Sequence, residues 1–549
     1  MADAKREIER KYESDDSGLP DLTGVAGVAN VLDKGTAELD ATYHDTSDLR
    51  LASARVTLRH RTGGSDAGWH LKLPVAPGIR DEIHAPLSDT LPDELAALAR
   101  SRVREGRLIP VIRLRTTREI QHLVDADGKL LAELSVDRVR AERLFGGTGT
   151  AQWTEIEVEL AEGGDPAFLD KVEKRLGKAG VRPSKSASKL ARALSETKGG
   201  KPRPKKKAAG KAGTAGRPAV TAGEPAMTAG EPAETAGEPA ETAGEPAETA
   251  GEPAETAGEP VTAGDHVMAY ARAQRDAIVE LDPAVRLDTE EGVHDMRVAT
   301  RRLRSTFRTF GKVLDRTVTD PIADELKWLA GELGVGRDQE VLAERLLAAL
   351  ADLPDTLVTG PVHDRMRSWA DEGERGSRGR LLGVLDSERY LALLDTLDAF
   401  AADPPLLKAA AGDPEKVLAK AVHKDFAKVA DLIETGMAQP PGHDRDLGLH
   451  EARKKAKRTR YAAEAAQPAL GKPAKTLLKS MKSLQTLLGE HQDSVMARET
   501  LRELSAVAHA AGESAFTYGL LYGREEQRAA AAEAGLPEQW QAVKTGAPL

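Results

Sequence analysis

The chain of 549 residues has no cysteine. That excludes a disulfide framework and any thiolate metal site, and it suits a reducing cytosol. Aromatic residues make up only 3% of the chain, so its cores must be packed from Leu, Ala and Val. No stretch approaches the roughly 20 apolar residues of a membrane span. The opening "MADAKREIERKYE" has no apolar signal core, so the expected location is cytoplasmic. No glycine-rich phosphate loop and no Ser–His–Asp order stands out. Charge is what the sequence has in abundance: 78 basic and 88 acidic residues, net −10. The basic residues are clustered, so the average hides strong local fields.

The length calls for two or more domains, and the middle of the chain divides them. "KGGKPRPKKKAAGK" (198–211) carries seven basic residues and no acid, and six copies of "TAGEP" follow, starting at 221, 228, 235, 242, 249 and 256. Pro and Gly in every repeat exclude a coiled coil despite the seven-residue period. The segment has almost nothing to bury and reads as a disordered linker over 198–262. The expected organisation is a first domain at 1–197, the linker, a helical domain at 263–535 and a tail at 536–549.

The first domain reads as short alternating strands separated by turns such as "DADGK", with helical stretches at about 92–105 and 165–194. In an extended chain, residues two apart share a face. "EIERKYE" therefore sets Glu7, Glu9 and Lys11 on one side. "TEIEVEL" does the same for Glu155, Glu157 and Glu159, opposite Ile156, Val158 and Leu160. Arg59 and Arg61 share a face in "TLRHR". His70 and Lys72 oppose Trp69, Leu71 and Leu73, and Glu133 and Asp137 oppose Leu134 and Val136. One reading is an antiparallel sheet with a wet face. Repulsion along a strand of three glutamates, and the sorting of acids and bases onto different strands, favour a closed barrel. Its apolar faces would pack outward against helices and its charged faces would line the lumen. Acids there suit a hard divalent cation, and bases suit a polyanion.

The "E-x-E-x-K" opening, and the order of "ATYHDTSDLRL", "TLRHR", "WHLKLP", "RDEIHAPL", "VIRLRTTR", "AELSVDRV", "WTEIEVEL" and "SKSASKLARAL" after it, resemble the CYTH domains, the triphosphate tunnel metalloenzymes. The resemblance covers residues 5–195. It implies an α+β domain built on an eight-stranded antiparallel tunnel that acts on a triphosphate with Mg²⁺ or Mn²⁺. By that resemblance Glu7, Glu9, Glu157 and Glu159 are metal ligands, with Glu155 and Asp137 as further acids. Lys11, Arg59, Arg61, Lys72, Arg118 and Lys189 hold the phosphates. Arg113 and Arg115 compete with Arg118, which has the opposite parity unless a bulge intervenes, and Lys185 competes with Lys189.

The second domain reads as helical almost throughout, with Asp265 as the expected N-cap of its first helix. It contains one pattern twice: "VHDMRVATRRLRSTF" from 293 and "LHEARKKAKRTRYAA" from 449. His294, Arg297, Arg301 and Arg304 match His450, Arg453, Lys457 and Arg460 at offsets 0, 3, 7 and 10, one stripe of a helix. Offset 8 adds Arg302 and Arg458. "LGVGRD" and "LGEHQD" follow, ending at Asp338 and Asp493, which orient a helix end or pair an Arg. A solvated face is the plain reading of one basic stripe. Two near-pure stripes at equal offsets instead point to a polyanion, with phosphate the group Arg binds best. This half resembles the CHAD family, the conserved histidine α-helical domains, over about 263–535. That implies an all-α bundle with internal duplication, binding to inorganic polyphosphate, and a cytoplasmic location at polyphosphate granules.

The leading expectation is a metal-dependent triphosphatase acting on inorganic triphosphate or an organic triphosphate, joined to a polyphosphate-binding domain. The alternatives are a non-catalytic polyphosphate-binding protein and an adenylate cyclase. A nucleic-acid reader is the weakest, because no aromatic platform or reading motif accompanies the basic runs.

Overall fold

The computed structural model describes residues 3–14, 19–198, 261–289 and 291–546. The described residues form two compact units on either side of 199–260. The linker expected at 198–262 lies almost wholly outside the described residues.

The first unit is built on β1 (Asp3–Glu13), β2 (Asn30–Asp45), β3 (Thr57–Thr62), β4 (Gly68–Ala76), β5 (Ile79–Pro86), β6 (Ile109–Val124), β7 (Leu130–Arg143) and β8 (Thr150–Leu160). All neighbours are antiparallel, and the order β5-β4-β3-β2-β6-β7-β8-β1 is closed by β1 pairing with β5. β1 achieves this by dividing its length: Asp3–Ile8 pair with β5 and Glu9–Glu13 with β8. The result is an eight-stranded ring with no free edge among these strands. Four short helices accompany it: α1 (Arg50–Ser53), α2 (Asp93–Val103), α3 (Ala167–Lys178) and α4 (Lys189–Glu196). The helix expected across 165–194 is thus two helices. Gly180, at φ +89°, ends the first, and the two-residue β9 (Arg182–Pro183) joins the edge of β1 before the second begins.

The outward-apolar expectation holds over only part of the ring. α3 covers the outer face of β8 and β7 through Phe168, Leu169, Val172 and Leu176 against Ile156, Val158, Leu160 and Leu134. α2 covers β3, β4 and β5 through Leu95, Leu98 and Ala99 against Leu58, Leu71 and Ile83. Further along β7 the polarity reverses without a register shift. Asp137 faces inward, but so do Val139 and Ala141, while Arg138 and Arg140 are exposed outside. β6 does the same: Ile112 and Leu114 point in, and Arg113 and Arg115 point out to Asp40. The inner face at this end is apolar because α4 packs into it, placing Leu190, Ala193 and Leu194 on Ala41, Tyr43, Ile112, Leu114, Val139 and Trp153.

The β2–β3 contact depends on Gly63. At φ +79°, a Cβ there would lie 2.1 Å from the Glu38 carbonyl oxygen. Gly63→Ala is expected to cost at least about 2 kcal/mol by denaturant unfolding, from backbone strain and the clash together.

The second unit is all-helical: α5 (Ala263–Arg286), α6 (Gly292–Thr309), α7 (Arg316–Ala351), α8 (Val362–Leu385), α9 (Glu388–Ala402), α10 (Pro414–Ala438), α11 (His443–Leu470), α12 (Lys472–Ala510) and α13 (Phe516–Gly546). Asp265 is not the N-cap of α5. Thr262 takes that role and Asp265 returns the bond from the third position, a reciprocal capping box. The expected tail at 536–549 is helical to Gly546, and it buries Leu536, Trp540 and Val543 in the core. The internal duplication appears as two hairpins, α6–α7 and α11–α12, each carrying one copy of the repeated pattern, with α6 packed against α11.

Candidate functional site

The polar part of the ring's lumen holds the charged residues singled out by strand parity. On one wall, Lys11 lies 3.1 Å from Glu9 and in contact with Glu157. Arg118 grips Asp137 with two bonds of 2.7 and 2.6 Å and reaches Glu157 at 2.9 Å. Lys189, the first residue of α4, places its ammonium 2.9, 2.8 and 2.6 Å from Asp137, Glu155 and Glu157. Trp153 donates to Glu155 at 2.6 Å where the apolar part begins. On the facing wall, Lys72 contacts Glu7, and Glu82 gathers Lys72 at 3.5 Å, Arg59 at 3.4 Å and His70 at 2.8 Å. Arg61 is buried, with the loop residue Asp66 as its acidic partner.

The two arginine and lysine ambiguities resolve by position. Arg118 reaches the lumen by parity alone, since no register shift falls between Arg113 and Arg118. Arg113 and Arg115 are outside. Lys185 is exposed, whereas Lys189 is buried. Glu82 and Tyr43 were not picked out from the sequence. Glu82 alternates with Arg80 and His84 in "RDEIH", a signal that period two carries.

Burial and crossed charges set the proton affinities. Burial, then repulsion from Arg59 and Arg118, pulls Arg61 down to about 9. An anion entering the lumen relieves that strain. Burial would raise Glu157, but Lys11, Lys189 and Arg118 hold it well below the usual carboxylate range. Glu9 is likewise held low by Lys11 against its burial. Burial pushes Lys189 down, yet Asp137, Glu157 and Glu155 keep it well above its ordinary value. Burial and a hydrogen bond shared with Glu82 raise Glu7 to about 8 despite Lys72.

Asp137, Glu155 and Glu157 bring their oxygens within 4.8 Å of one another, but the Lys189 ammonium already sits at their focus. The remaining acids each face a lysine as well, Glu9 with Lys11, Glu7 with Lys72 and Glu159 with Lys5, but share no single ammonium. Glu9 and Glu159 are cross-strand partners, Glu159 is partly exposed beside Lys5 at 2.7 Å, and Glu7 and Glu82 share a proton that a cation would replace. Donors that are all carboxylate oxygen suit, by their chemistry, a hard divalent ion such as Mg²⁺ or Mn²⁺. Because Glu7 keeps its proton to about pH 8, a cation bound there must displace it. Apparent Mn²⁺ affinity is expected to rise about tenfold per pH unit below that point and to level off above it. Titrations at acid, neutral and alkaline pH check this, and pH-independent binding would remove Glu7 from the ligand set.

In the helical unit, the two basic stripes converge on one ring. Tyr461 carries Arg460 over its face at 4.8 Å, and its hydroxyl accepts from Arg301 of the other repeat at 3.4 Å. Arg297 makes a bidentate pair with Asp338, at 2.6 and 3.0 Å. Gly334 leaves room for this: a Cβ there would lie 2.9 Å from the Arg297 guanidinium. Arg453, Lys457 and Arg460 are buried, Arg460 donating to Gln485 at 3.1 Å. His294, Arg301 and Arg304 are part-buried. His450 is pushed below its usual value by burial and then by Lys454, so it is neutral at pH 7. The offset-8 residues do different work: Arg302 pairs with Glu464 at 2.9 Å, and Arg458 pairs with Asp425. Tyr461 was missed because a lone tyrosine in "KRTRYAA" has no periodic signal.

Comparison with known proteins agrees with both halves. The CYTH domain model matches residues 5–194 and the CHAD domain model matches 269–502. An uncharacterised protein of Mycobacterium tuberculosis (strain CDC 1551 / Oshkosh) is 36% identical over 540 residues, covering 94% of this chain and 92% of that one. Among solved structures, PptA from Streptomyces chartreusis is similar at 22% identity and a TM-score of 0.44, covering 51% of this chain and 99% of that one. The CHAD domain from the plant Ricinus communis is similar at 24% identity and a TM-score of 0.41, covering 52% and 92%. The chain belongs to the family of proteins that carry a CYTH domain followed by a CHAD domain. Among the described residues, no helix is long and apolar enough to cross a membrane.

Proposed function

We propose that the tunnel is a metal-dependent hydrolase of inorganic triphosphate or a related organic triphosphate, and that the helical unit binds inorganic polyphosphate. The observation that carries the first part is the gathering of Arg59, Arg61 and Arg118 in a closed lumen, where burial first and repulsion from the other two second pull Arg61 down to about 9. Such a site is stabilised by a multiply charged anion. Lys11, Lys72 and Lys189 stand within reach of the same space, now held by the carboxylates of Glu157, Glu82 and Asp137. Phosphate oxygens entering the lumen exchange these internal ion pairs for bonds to substrate. Glu7, Glu9 and Glu159 would hold the divalent cation, which would supply neutralisation of phosphate charge. A carboxylate at this wall orients a water and takes its proton as oxygen attacks the terminal phosphorus and the anhydride bond breaks.

The test is phosphate release by the purified chain from inorganic triphosphate, thiamine triphosphate and ATP, with and without Mg²⁺ or Mn²⁺. Metal-dependent release supports the reading. Cyclic AMP from ATP would convert it to a cyclase. No turnover with polyphosphate still retained would leave a binding protein.

A further inference from the structure

We propose that Asp446, His491 and Glu533 form a second cation site, in the helical unit, selective for Zn²⁺ and similar divalent transition ions. The inference is independent of the function proposed above. His491 lies on α12 and is 2% exposed. Its Nε2 is 3.2 Å from Asp446 Oδ1 on α11 and 3.2 Å from Glu533 Oε1 on α13. One ring nitrogen can donate a single proton, so it cannot serve both oxygens well. The outer oxygens are already engaged: Asp446 Oδ2 faces Arg498 at 3.6 Å, and Glu533 Oε2 faces Arg445 at 3.2 Å. Each carboxylate is thus held by an arginine so that its other oxygen turns toward the same nitrogen. That is the arrangement of an outer shell that orients metal ligands and offsets part of their charge.

The spacing suits a cation. All three ligand atoms lie within 4.8 Å of one another. An ion at about 2.1 Å from a nitrogen and an oxygen that are 3.2 Å apart subtends about 100°, between the tetrahedral and octahedral values. Imidazole beside two carboxylates selects Zn²⁺ or its neighbours over Mg²⁺. Asp446 and Glu533 keep 20% and 15% of their side-chain surface open, enough for ion exchange and a water ligand. The duplication supplies a control: "LGEHQD" has His491 where "LGVGRD" has Gly336, so the first copy lacks the site. Asp446 precedes His450 by one helical turn. An ion here ties the second basic helix, α11, to both α12 and α13.

The experiment is equilibrium dialysis of full-length protein, stripped with chelator, against micromolar Zn²⁺. It is run in an E7Q/E9Q background so that the tunnel contributes little. The proposal expects about one Zn²⁺ per chain, lost in H491A and weakened at least about tenfold in D446N. Zn²⁺ should also raise the unfolding temperature of the background protein and leave that of H491A unmoved. Should H491A misfold by circular dichroism, D446N and E533Q carry the comparison. Equal Zn²⁺ binding in the folded variants, or none by the background protein, overturns the proposal and leaves a histidine-centred ion cluster.

Discussion

Glu7→Gln with Glu9→Gln lowers metal-dependent phosphate release from inorganic triphosphate by at least about 100-fold, because two anionic ligands become neutral amides of the same shape. The fold should survive. Lys72 keeps Glu82 at 3.5 Å and Lys11 keeps Glu157, so neither ammonium is left buried without an acid. Circular dichroism and polyphosphate retention therefore stay as in the parent. The measurement is the initial rate at saturating Mg²⁺ or Mn²⁺, with a metal titration beside it. A shift to weaker metal binding with partial rescue at high concentration identifies the pair as ligands. An unchanged rate would place the hydrolysis outside the tunnel and sink the assignment.

The second large effect concerns the helical unit. The obvious targets, Arg297 and Arg453, are poor ones: the first is pinned bidentately to Asp338 and the second is 2% exposed. Reversing either charge would disturb folding before it reported on binding. Arg301 and Arg304 are only part-buried and lie on the same stripe. Arg301→Gln with Arg304→Gln is expected to weaken polyphosphate binding by about 100-fold, from the loss of two charge-assisted contacts. The salt dependence of binding should flatten at the same time, since fewer counterions are exchanged. Arg308→Gln with Lys312→Gln, both exposed beyond the stripe, serves as the control of equal charge change. Binding by the double variant within twofold of the control would remove the stripe from the polyphosphate site.

Much of this was legible because strands and helices impose fixed periods. Parity alone put Glu7, Glu9, Lys11, Glu155 and Glu157 on the lumen face, the family resemblance singled out Arg118, and offsets of 3, 7 and 10 aligned the two basic stripes. The inversion along β6, β7 and β8 was harder to see. Asp137 and Arg138 are adjacent charges in "SVDRVRAER", and that break in alternation marks where the lumen turns from charged to apolar. Its cause lies about 50 residues away, in α4, so no local reading of β7 could supply it. Offset 8 of the repeated pattern is basic in both copies but lies off the stripe. Only packing shows that Arg302 and Arg458 spend their charge on Glu464 and Asp425. The cap of α5 was missed by three residues because Asp265 and Thr262 are both good caps, and the reciprocal bond decides between them.

The helix α4, seated inside the ring, makes the tunnel a cul-de-sac. Leu190, Ala193 and Leu194 stopper it on the side of Trp153 and Ile112, while Lys189 tips the stopper with a positive charge facing the acids. For the hydrolase proposed above, a phosphate chain enters by its terminus and cannot be threaded through. Internal anhydride bonds of a long polymer stay out of reach, and cleavage must proceed from an end. Product leaves by the door through which the next substrate arrives, so orthophosphate competes with triphosphate for one passage.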